Sequence, residues 1–303
     1  MKRALICFTL ISIALLSCKK DHHTQTTEPT GKLYPVSFNI SSFSQVNVPD
    51  NQNSKIKINA VDPSATSIVK LVYKLFDSNN VLKKTVFIKK GAPNFGTFTD
   101  SIPAGSYKAV FLGLKDSANY IGTYAGDPTR FSYYYATGIA FPETFYSNAS
   151  FTVGNAPVQQ SIVLQRLNSE VLVIIKDAIP PKTASITIDI TGNFVCSYLD
   201  GKSSGSISAG IATVAITSSN IGTTNFQLGP RSVFNNTTPV TVSITAKAAD
   251  GTIMVQKTIG NVTLQPNTRT ILTGNVFTNS AGTGGLAVTF NPDYNTTDIN
   301  QSF

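Results

Sequence analysis

Apolar and polar residues alternate along several segments of this chain, and this period of two constrains its fold more than any other feature. Between Ser185 and Ile190, the side chains of Ile186, Ile188 and Ile190 share one side of an extended chain, and polar residues occupy the other. The segment from Val240 to Ala246 has the same pattern. Strands with one buried and one solvated face are typical of antiparallel sheets. No segment has a convincing helical period, so the sequence predicts an all-β fold.

Turn residues separate the alternating segments at the spacing expected of hairpins. Asp250-Gly251 favours a tight hairpin turn between two candidate strands. Asn79-Asn80 plays the same part earlier in the chain, because asparagine tolerates a positive φ. A loop composition at Gly154–Pro157 marks a boundary. We predict two antiparallel β-sandwich domains in tandem, at residues 33–155 and 158–303.

The N-terminus has the features of a secretory signal. A basic start is followed by an apolar run of about 13 residues, shorter than the roughly 20 that a spanning helix needs. The stretch Leu15-Leu16-Ser17-Cys18 resembles the lipobox of bacterial lipoproteins, which implies cleavage after residue 17 and diacylglycerol on the Cys18 thiol. The alternative is an ordinary secreted protein with a chance cysteine at this place. Residues 18–32 hold almost nothing apolar, so we expect a lipidated, disordered tether.

The cysteines and the charges limit the remaining classes. Cys7 would leave with the signal and Cys18 would carry lipid, so Cys196 could form no intrachain disulfide, and we expect it to be buried and inert. The net charge is +8. Its two concentrated sites, Lys83-Lys84 and Lys89-Lys90, fit solvated strand edges that discourage aggregation, or alternatively a patch for an acidic partner. We expect no nucleic acid partner.

The folded part of the chain lacks the side chains of common catalytic and metal sites. Both histidines, His22 and His23, lie in the predicted tether, which excludes a histidine-assisted nucleophile from the body. The body holds only two glutamates, Glu143 and Glu170, and many of its aspartates stand at turn positions. We therefore predict that the protein is not an enzyme and has no cofactor and no metal site.

Residues 119–151 are rich in aromatic rings mixed with glycine, proline and serine. This is long for a connection without strands, and such connections are usually functional. The three consecutive rings of Tyr133, Tyr134 and Tyr135 cannot all point inward from an extended chain. They are candidates for contact with a protein or a glycan. The alternative is that the rings of this segment only cap the core of the first domain.

Two stretches resemble a known family. Residues Leu164–Val171 (LQRLNSEV) and Leu264–Phe277 (LQPNTRTILTGNVF), with the lipobox and the opening strand Val36–Ile40, resemble the FimB/Mfa2-type fimbrial anchor lipoproteins of Bacteroidetes. The resemblance implies two transthyretin-like, Greek-key β-sandwich domains on a lipid anchor. It brings no catalytic or ligand-binding residues with it.

The resemblance leads to an expected function and one alternative. The expected function is a non-enzymatic outer-membrane lipoprotein, at the cell surface, that anchors or assembles a fimbria, with fimbrial or other envelope proteins as partners. The alternative is a glycan-binding outer-membrane lipoprotein of a polysaccharide-uptake system. A glycan binder should expose aromatic platforms beside Asp, Asn or Lys, whereas an assembly protein should offer a groove or an unpaired strand edge. The chain has no tryptophan, which favours assembly.

Overall fold

A computed structural model describes residues 31–44, 68–115, 121–124, 126–133, 143–192, 195–204, 207–208, 212–234, 237–278 and 287–291. The predicted all-β fold is confirmed, and the only helical turn in these ranges is the 3-10 turn Ser218–Asn220. The strands are β1 (Leu33–Ser44), β2 (Lys70–Asp77), β3 (Leu82–Lys89), β4 (Thr97–Pro103), β5 (Gly105–Leu114), β6 (Ile121–Tyr124), β7 (Asp127–Tyr133), β8 (Thr144–Val153), β9 (Val158–Arg166), β10 (Ser169–Ile175), β11 (Thr183–Gly192), β12 (Val195–Ser197), β13 (Ser203–Ser204), β14 (Ile207–Ser208), β15 (Ala212–Ala215), β16 (Phe226–Val233), β17 (Val240–Ala248), β18 (Ile253–Val262), β19 (Arg269–Gly274) and β20 (Ala287–Asn291).

The first half of the chain forms a seven-stranded sheet in the order β3-β2-β5-β8-β9-β1-β4. All its pairs are antiparallel except β1 and β9, which run parallel. The sheet folds over on itself, because the Phe38 ring on β1 lies 5.8 Å from the Tyr73 ring on β2 and 5.1 Å from the Phe111 ring on β5. These rings form the centre of a core on the inner face of the sheet.

The second half contains two sheets, β16-β10-β19-β20 and β14-β11-β17-β18, with β15 also paired to β11. Of their pairs, β10 and β19 run parallel. The predicted alternation is confirmed, since Ile186, Ile188 and Ile190 on β11 are at most 1% exposed. The predicted hairpin turn at Asp250-Gly251 is also confirmed, with Gly251 at φ +86° and the Ala248 N–H donating to the Thr252 carbonyl at 2.9 Å.

A carboxylate ties the end of β10 to the segment after β19. Asp177 accepts hydrogen bonds from the backbone N–H groups of Val276, Phe277 and Thr278 at 2.9, 2.7 and 2.7 Å, and from the Thr278 hydroxyl at 3.1 Å. Burial alone would raise the pKa of Asp177, but these donors outweigh it and hold the pKa below its ordinary value. The ionised carboxylate therefore stabilises this part of the fold.

The two halves share a sheet. Strands β6 and β7 from the first half continue into β12 and β13 from the second, in the order β13-β12-β7-β6. The Phe131 ring on β7 is fully buried, 4.6 Å from the Tyr198 ring and 5.9 Å from the Phe234 ring. The sequence predicted a connection without strands at residues 119–151, and this prediction is wrong, because these residues contain β6, β7 and most of β8. The closely spaced aromatic residues hid the period of two that β8 has.

The halves also share a core. The outer face of the first sheet carries Val72, Phe76 and Val110, which belong to the same buried cluster as the residues of the second half. On this face the Tyr146 hydroxyl donates to the Tyr198 carbonyl at 2.8 Å, and a Cβ on Gly201 would lie 2.8 Å from the Tyr146 ring. Close approach of backbone and ring at this position requires glycine, which also has φ +70° here.

The two stretches that carry the family resemblance meet where the halves join. Arg166, at the end of β9, is 2% exposed and donates to the Asn267 side-chain oxygen at 2.8 Å and to the Glu143 carboxylate at 3.3 Å. The Asn267 N–H donates to the Asn168 carbonyl at 2.7 Å, and the Asn168 side-chain oxygen accepts from the Thr144 N–H at 2.6 Å. Buried polar groups need hydrogen-bond partners, so these bonds favour a single arrangement of the two stretches relative to each other.

The division at residues 155–158 stays a prediction. Strand β9, which follows it, pairs with β1 and β8 and so belongs to the first sheet. A boundary drawn from sheet membership would therefore fall after Arg166. The sequence also predicts a strand at Ile56–Ala60, and this segment lies outside the described residues.

Candidate assembly edge

The side chains that the sequence proposed for contact or anchoring lie outside the part of the chain whose side chains the structure describes. Cys18, Tyr134 and Tyr135 lie outside the described residues, and Tyr133 is described only as the last residue of β7. The roles of these four residues stay predictions. Cys196 is free and fully buried, as expected. Its burial, and to a lesser degree the nearby charge of Asp200, raises the pKa of its thiol.

The described part of the chain offers neither a metal cluster nor a membrane-spanning helix. No cluster of three or more His, Cys, Asp or Glu side chains there is arranged to hold a metal ion. Within the same ranges, no helix reaches the length and apolar character that crossing a bilayer requires. The remaining candidate for a site is the one expected of an assembly protein, an edge strand with an unpaired backbone.

Edge strand β3 is protected against further pairing. It carries Lys83 and Lys84, which pair with Asp77 at 3.0 Å and with Asp100 at 2.7 Å. Lys89 ends the strand and Lys90 follows it. The expectation that these lysines mark a strand edge is confirmed, and charged side chains on an edge discourage another strand from joining it.

Two further edges carry other protective features. Strand β16 contains Pro230 after a cis peptide bond, and its register with β10 shifts between Val171 and Val173. Proline removes a backbone donor, so Pro230 interrupts the row of donors that an added strand would need. Strand β4 ends at Pro103 and carries Asp100, whose side chain is 8% exposed, so it places a charge where an incoming strand would pack.

Edge strand β18 has the least protection among the long edges whose side chains the structure describes. It is ten residues long, contains no proline, and has one charged side chain, Lys257. Its only paired neighbour among the described strands is β17. Near its start, Ile253 is 55% exposed and Met254 is 36% exposed, which is unusual for large apolar side chains at the end of a hairpin.

The regular part of β18 runs from Val255 to Ile259. Register shifts flank it on both sides, and Asn261 adopts φ +58° in the second shift. Val255, Lys257 and Ile259 are half-buried, whereas Gln256 and Thr258 are exposed. An extended peptide could pair with the backbone of this segment, and the neighbouring apolar side chains could contact it.

Two kinds of comparison place the chain among known proteins. The model of the DUF6562 family, described as a family of unknown function, matches residues 132–302. These 171 residues are more than half of the 303. The chain belongs to the DUF6562 family. None of the curated proteins matches this DUF6562 chain.

Solved structures show which fold this DUF6562 chain has. The fimbrial anchor protein Mfa2 from Porphyromonas gingivalis matches with a TM-score of 0.54 at 11% identity, over 86% of this chain and 98% of that one. A Bacteroides thetaiotaomicron protein described as a candidate polysaccharide-binding protein (DUF1812) matches with a TM-score of 0.51 at 9% identity, over 80% of this chain and 92% of that one. The expected resemblance to a fimbrial anchor is therefore confirmed at the level of the fold.

Sequence reasoning predicted β18 as a strand but not as an edge. Thr252 to Ile259 has a strand-like composition and follows a tight turn. Its position depends on sheet order, which brings together β11 and β17 from distant parts of the chain. No local signal in the sequence carries that information.

Proposed function

We propose that this protein is a non-enzymatic, lipid-anchored lipoprotein of the outer membrane, exposed at the cell surface, that anchors or assembles a fimbria-like polymer. Edge strand β18 accepts an extended segment of a polymer subunit by strand addition. The observation that carries the proposal is the contrast between β18 and the protected edges β3, β4 and β16. Main-chain hydrogen bonds would supply affinity, and Ile253 and Met254 would supply apolar contact.

The two ends of the molecule have different parts in this proposal. Lipid on Cys18 holds the chain on the membrane, and several acyl chains are needed because a single chain binds only weakly. The second half carries the polymer through β18. The shared core and the buried junction at Arg166 support the proposal, because they join the two halves without a flexible linker.

The experiment places proline in β18. Successive residues of an edge strand direct their N–H groups alternately toward the neighbouring strand and away from it. Of the two variants Lys257→Pro and Thr258→Pro, one therefore removes only an N–H donor that points away from β17. That variant should keep the unfolding temperature of the original protein. In cells that make it in place of the original protein, the polymer should be shed into the medium.

The matched control is the same pair of substitutions on protected edge β3, at Thr85 and Val86. The variant of this pair that keeps its stability should leave the polymer attached to cells. Attachment that survives the stable β18 variant would contradict the proposal. So would shedding caused equally by the stable β3 variant, because the effect would then not be specific to one edge.

The glycan alternative has one specific observation in its favour. Phe87 on β3 is 55% exposed, and the Lys70 ammonium lies 4.7 Å from the centre of its ring. This is an exposed aromatic platform beside a lysine, as a glycan site would require, although it is a single ring. If it binds glycan, Phe87→Ala should lower the affinity for surface polysaccharide at least tenfold in titration calorimetry without changing the unfolding temperature. An unchanged affinity would exclude this site.

A further inference from the structure

The strand register brings the chain entry and three turns to one end of the first sheet. Leu33 pairs with Pro103, and Gly105 pairs with Val153, so the β4–β5 and β8–β9 turns lie beside the start of β1. Asp77 pairs with Tyr107, which places the β2–β3 turn at the same end. We call residues 31–33, 78–81, 103–105 and 154–157 the tether end. The connection from β9 to β10 lies at the opposite end of the sheet.

The tether end has an unusual surface. Two of its aliphatic side chains are exposed, Leu33 at 49% and Val81 at 51%. The remaining residues are glycine, alanine, proline, serine and asparagine, apart from Lys32. These four segments are fully described, and none of them contains a carboxylate. The adjacent Asp77 bonds to the backbone of the β2–β3 turn, accepting from the Asn79 and Val81 N–H groups at 2.9 Å each, and its charge is paired with Lys83 at 3.0 Å.

Other turns of the chain use aspartate. Asp127 accepts from the Thr129 N–H at 2.8 Å, Asp200 from the Lys202 N–H at 3.1 Å, and Asp250 from the Thr252 N–H at 2.9 Å. Aspartate suits turns because its side chain bonds to nearby backbone. At the tether end, Asp77 has the same role in the β2–β3 turn, but its charge is paired with Lys83. The exposed side chains Leu33 and Val81 therefore lie beside a carboxylate that is already paired.

The occupant of this surface follows from where the chain enters it. The sequence predicts a disordered tether at residues 18–32, and a chain of that kind and length has a root-mean-square span of about 20 Å. Lipid on Cys18 would therefore keep the tether end close to the headgroups. A surface whose adjacent carboxylate, Asp77, is paired with Lys83, and which offers Lys32 and two aliphatic tips, suits an anionic headgroup layer, because basic and apolar side chains both favour that interface.

We propose that the tether end of the first sheet rests on the lipid headgroup surface, with Leu33 and Val81 among the headgroups. This inference rests on the proposed lipidation of Cys18. It adds an orientation of the protein. The first sheet stands on the membrane at its tether end, and the Arg166 junction lies at the end of the sheet that faces away from the membrane.

The test uses the full lipoprotein purified from outer membranes and reconstituted into vesicles of phosphatidylethanolamine and phosphatidylglycerol. Val81→Cys is labelled with an environment-sensitive fluorophore, and the vesicles contain lipid with a nitroxide near the headgroup. The native Cys196 is fully buried, so it should not take the label. Ile253→Cys is the control, because Ile253 has a similar exposed fraction of 55% but lies in the second half.

We expect the label at residue 81 to shift to shorter wavelength and to be quenched at least twofold more than the label at residue 253. Leu33→Cys provides a second position, in case the label at residue 81 disturbs the turn. Vesicles that float with the protein while neither tether-end label is quenched would overturn the proposal and leave the lipid anchor intact. Quenching at residue 253 alone would place the other half on the membrane. Protein that does not float with the vesicles would overturn the anchor and the contact together.

Discussion

Replacing Phe131 with alanine should destabilise the whole molecule, because this ring lies where the two halves share a sheet and a core. The ring is fully buried against Tyr198 and Phe234. Truncating a buried phenylalanine costs about 3–5 kcal/mol of unfolding free energy, which includes the cavity that remains. For a chain of this size, such a loss corresponds to a decrease in melting temperature of about 6–20 °C.

The assay is scanning calorimetry of the body produced without residues 1–18, with Phe87→Ala as the matched control. Phe87 is 55% exposed and contacts Lys70, so its truncation should cost less than about 1 kcal/mol. Since the core is continuous, we expect one cooperative transition that moves as a whole in Phe131→Ala. Two separate transitions, or equal shifts in the two variants, would refute the argument from a shared core.

Three further predictions address the anchor, the Asp177 carboxylate and the tyrosine segment. Cys18→Ala should leave the body folded but remove it from the outer-membrane fraction after a high-salt wash, and continued sedimentation with that fraction would mean that lipid is not the anchor. Because the folded state lowers the pKa of Asp177 below its unfolded value near 3.9, its stabilisation is present above that pH and decreases as the pH falls through the folded pKa. Asp177→Asn should therefore lower the melting temperature at pH 7 and flatten its decline in acid, which thermal melts between pH 7 and pH 2 measure; an unchanged decline would assign the acid sensitivity elsewhere. For Tyr133, Tyr134 and Tyr135, changing the outward ring to serine should cost about 2 kcal/mol or more of partner binding with little loss of stability, whereas a large stability loss at all three with unchanged co-purification of envelope proteins would contradict a contact role.

The sequence predicted most directly those strands in which apolar and polar residues alternate. The face of Ile186, Ile188 and Ile190 is buried as the pattern requires, because a strand with one wet face records its orientation in its own residues. The sequence did not predict strand β8, because the large ring of Tyr146 lies on the outer face of the sheet. The residues on either side of Tyr146 lie on the inner face, so the expected alternation of apolar and polar residues is broken. That outer face is itself covered by the second half, so a large ring there is not a sign of a loop.

The pairing of distant residues was outside the reach of the sequence. Nothing near Arg166 in the sequence indicates that its side chain donates hydrogen bonds to Asn267 and Glu143, which are 101 and 23 residues away. The stretches around Arg166 and Asn267 are also the ones that carry the family resemblance. Their joint role in one buried junction gives a physical reason for both, since Arg166 donates to the Asn267 side chain and the Asn267 N–H donates to the Asn168 carbonyl.

The proposed anchor requires a path for force through the molecule. A polymer bound at β18 and a lipid at Cys18 pull on opposite halves, so the load must cross between them. Three connections are available: the β7–β12 pairing, the shared core, and the Arg166 junction. The first consists of a short strand pair and would open easily by itself, but it is backed by the buried Phe131 ring and by the hydrogen bond from the Tyr146 hydroxyl to the Tyr198 carbonyl. A two-domain anchor joined only by a linker would stretch before it transmitted load, whereas a continuous core makes the two halves resist as one body.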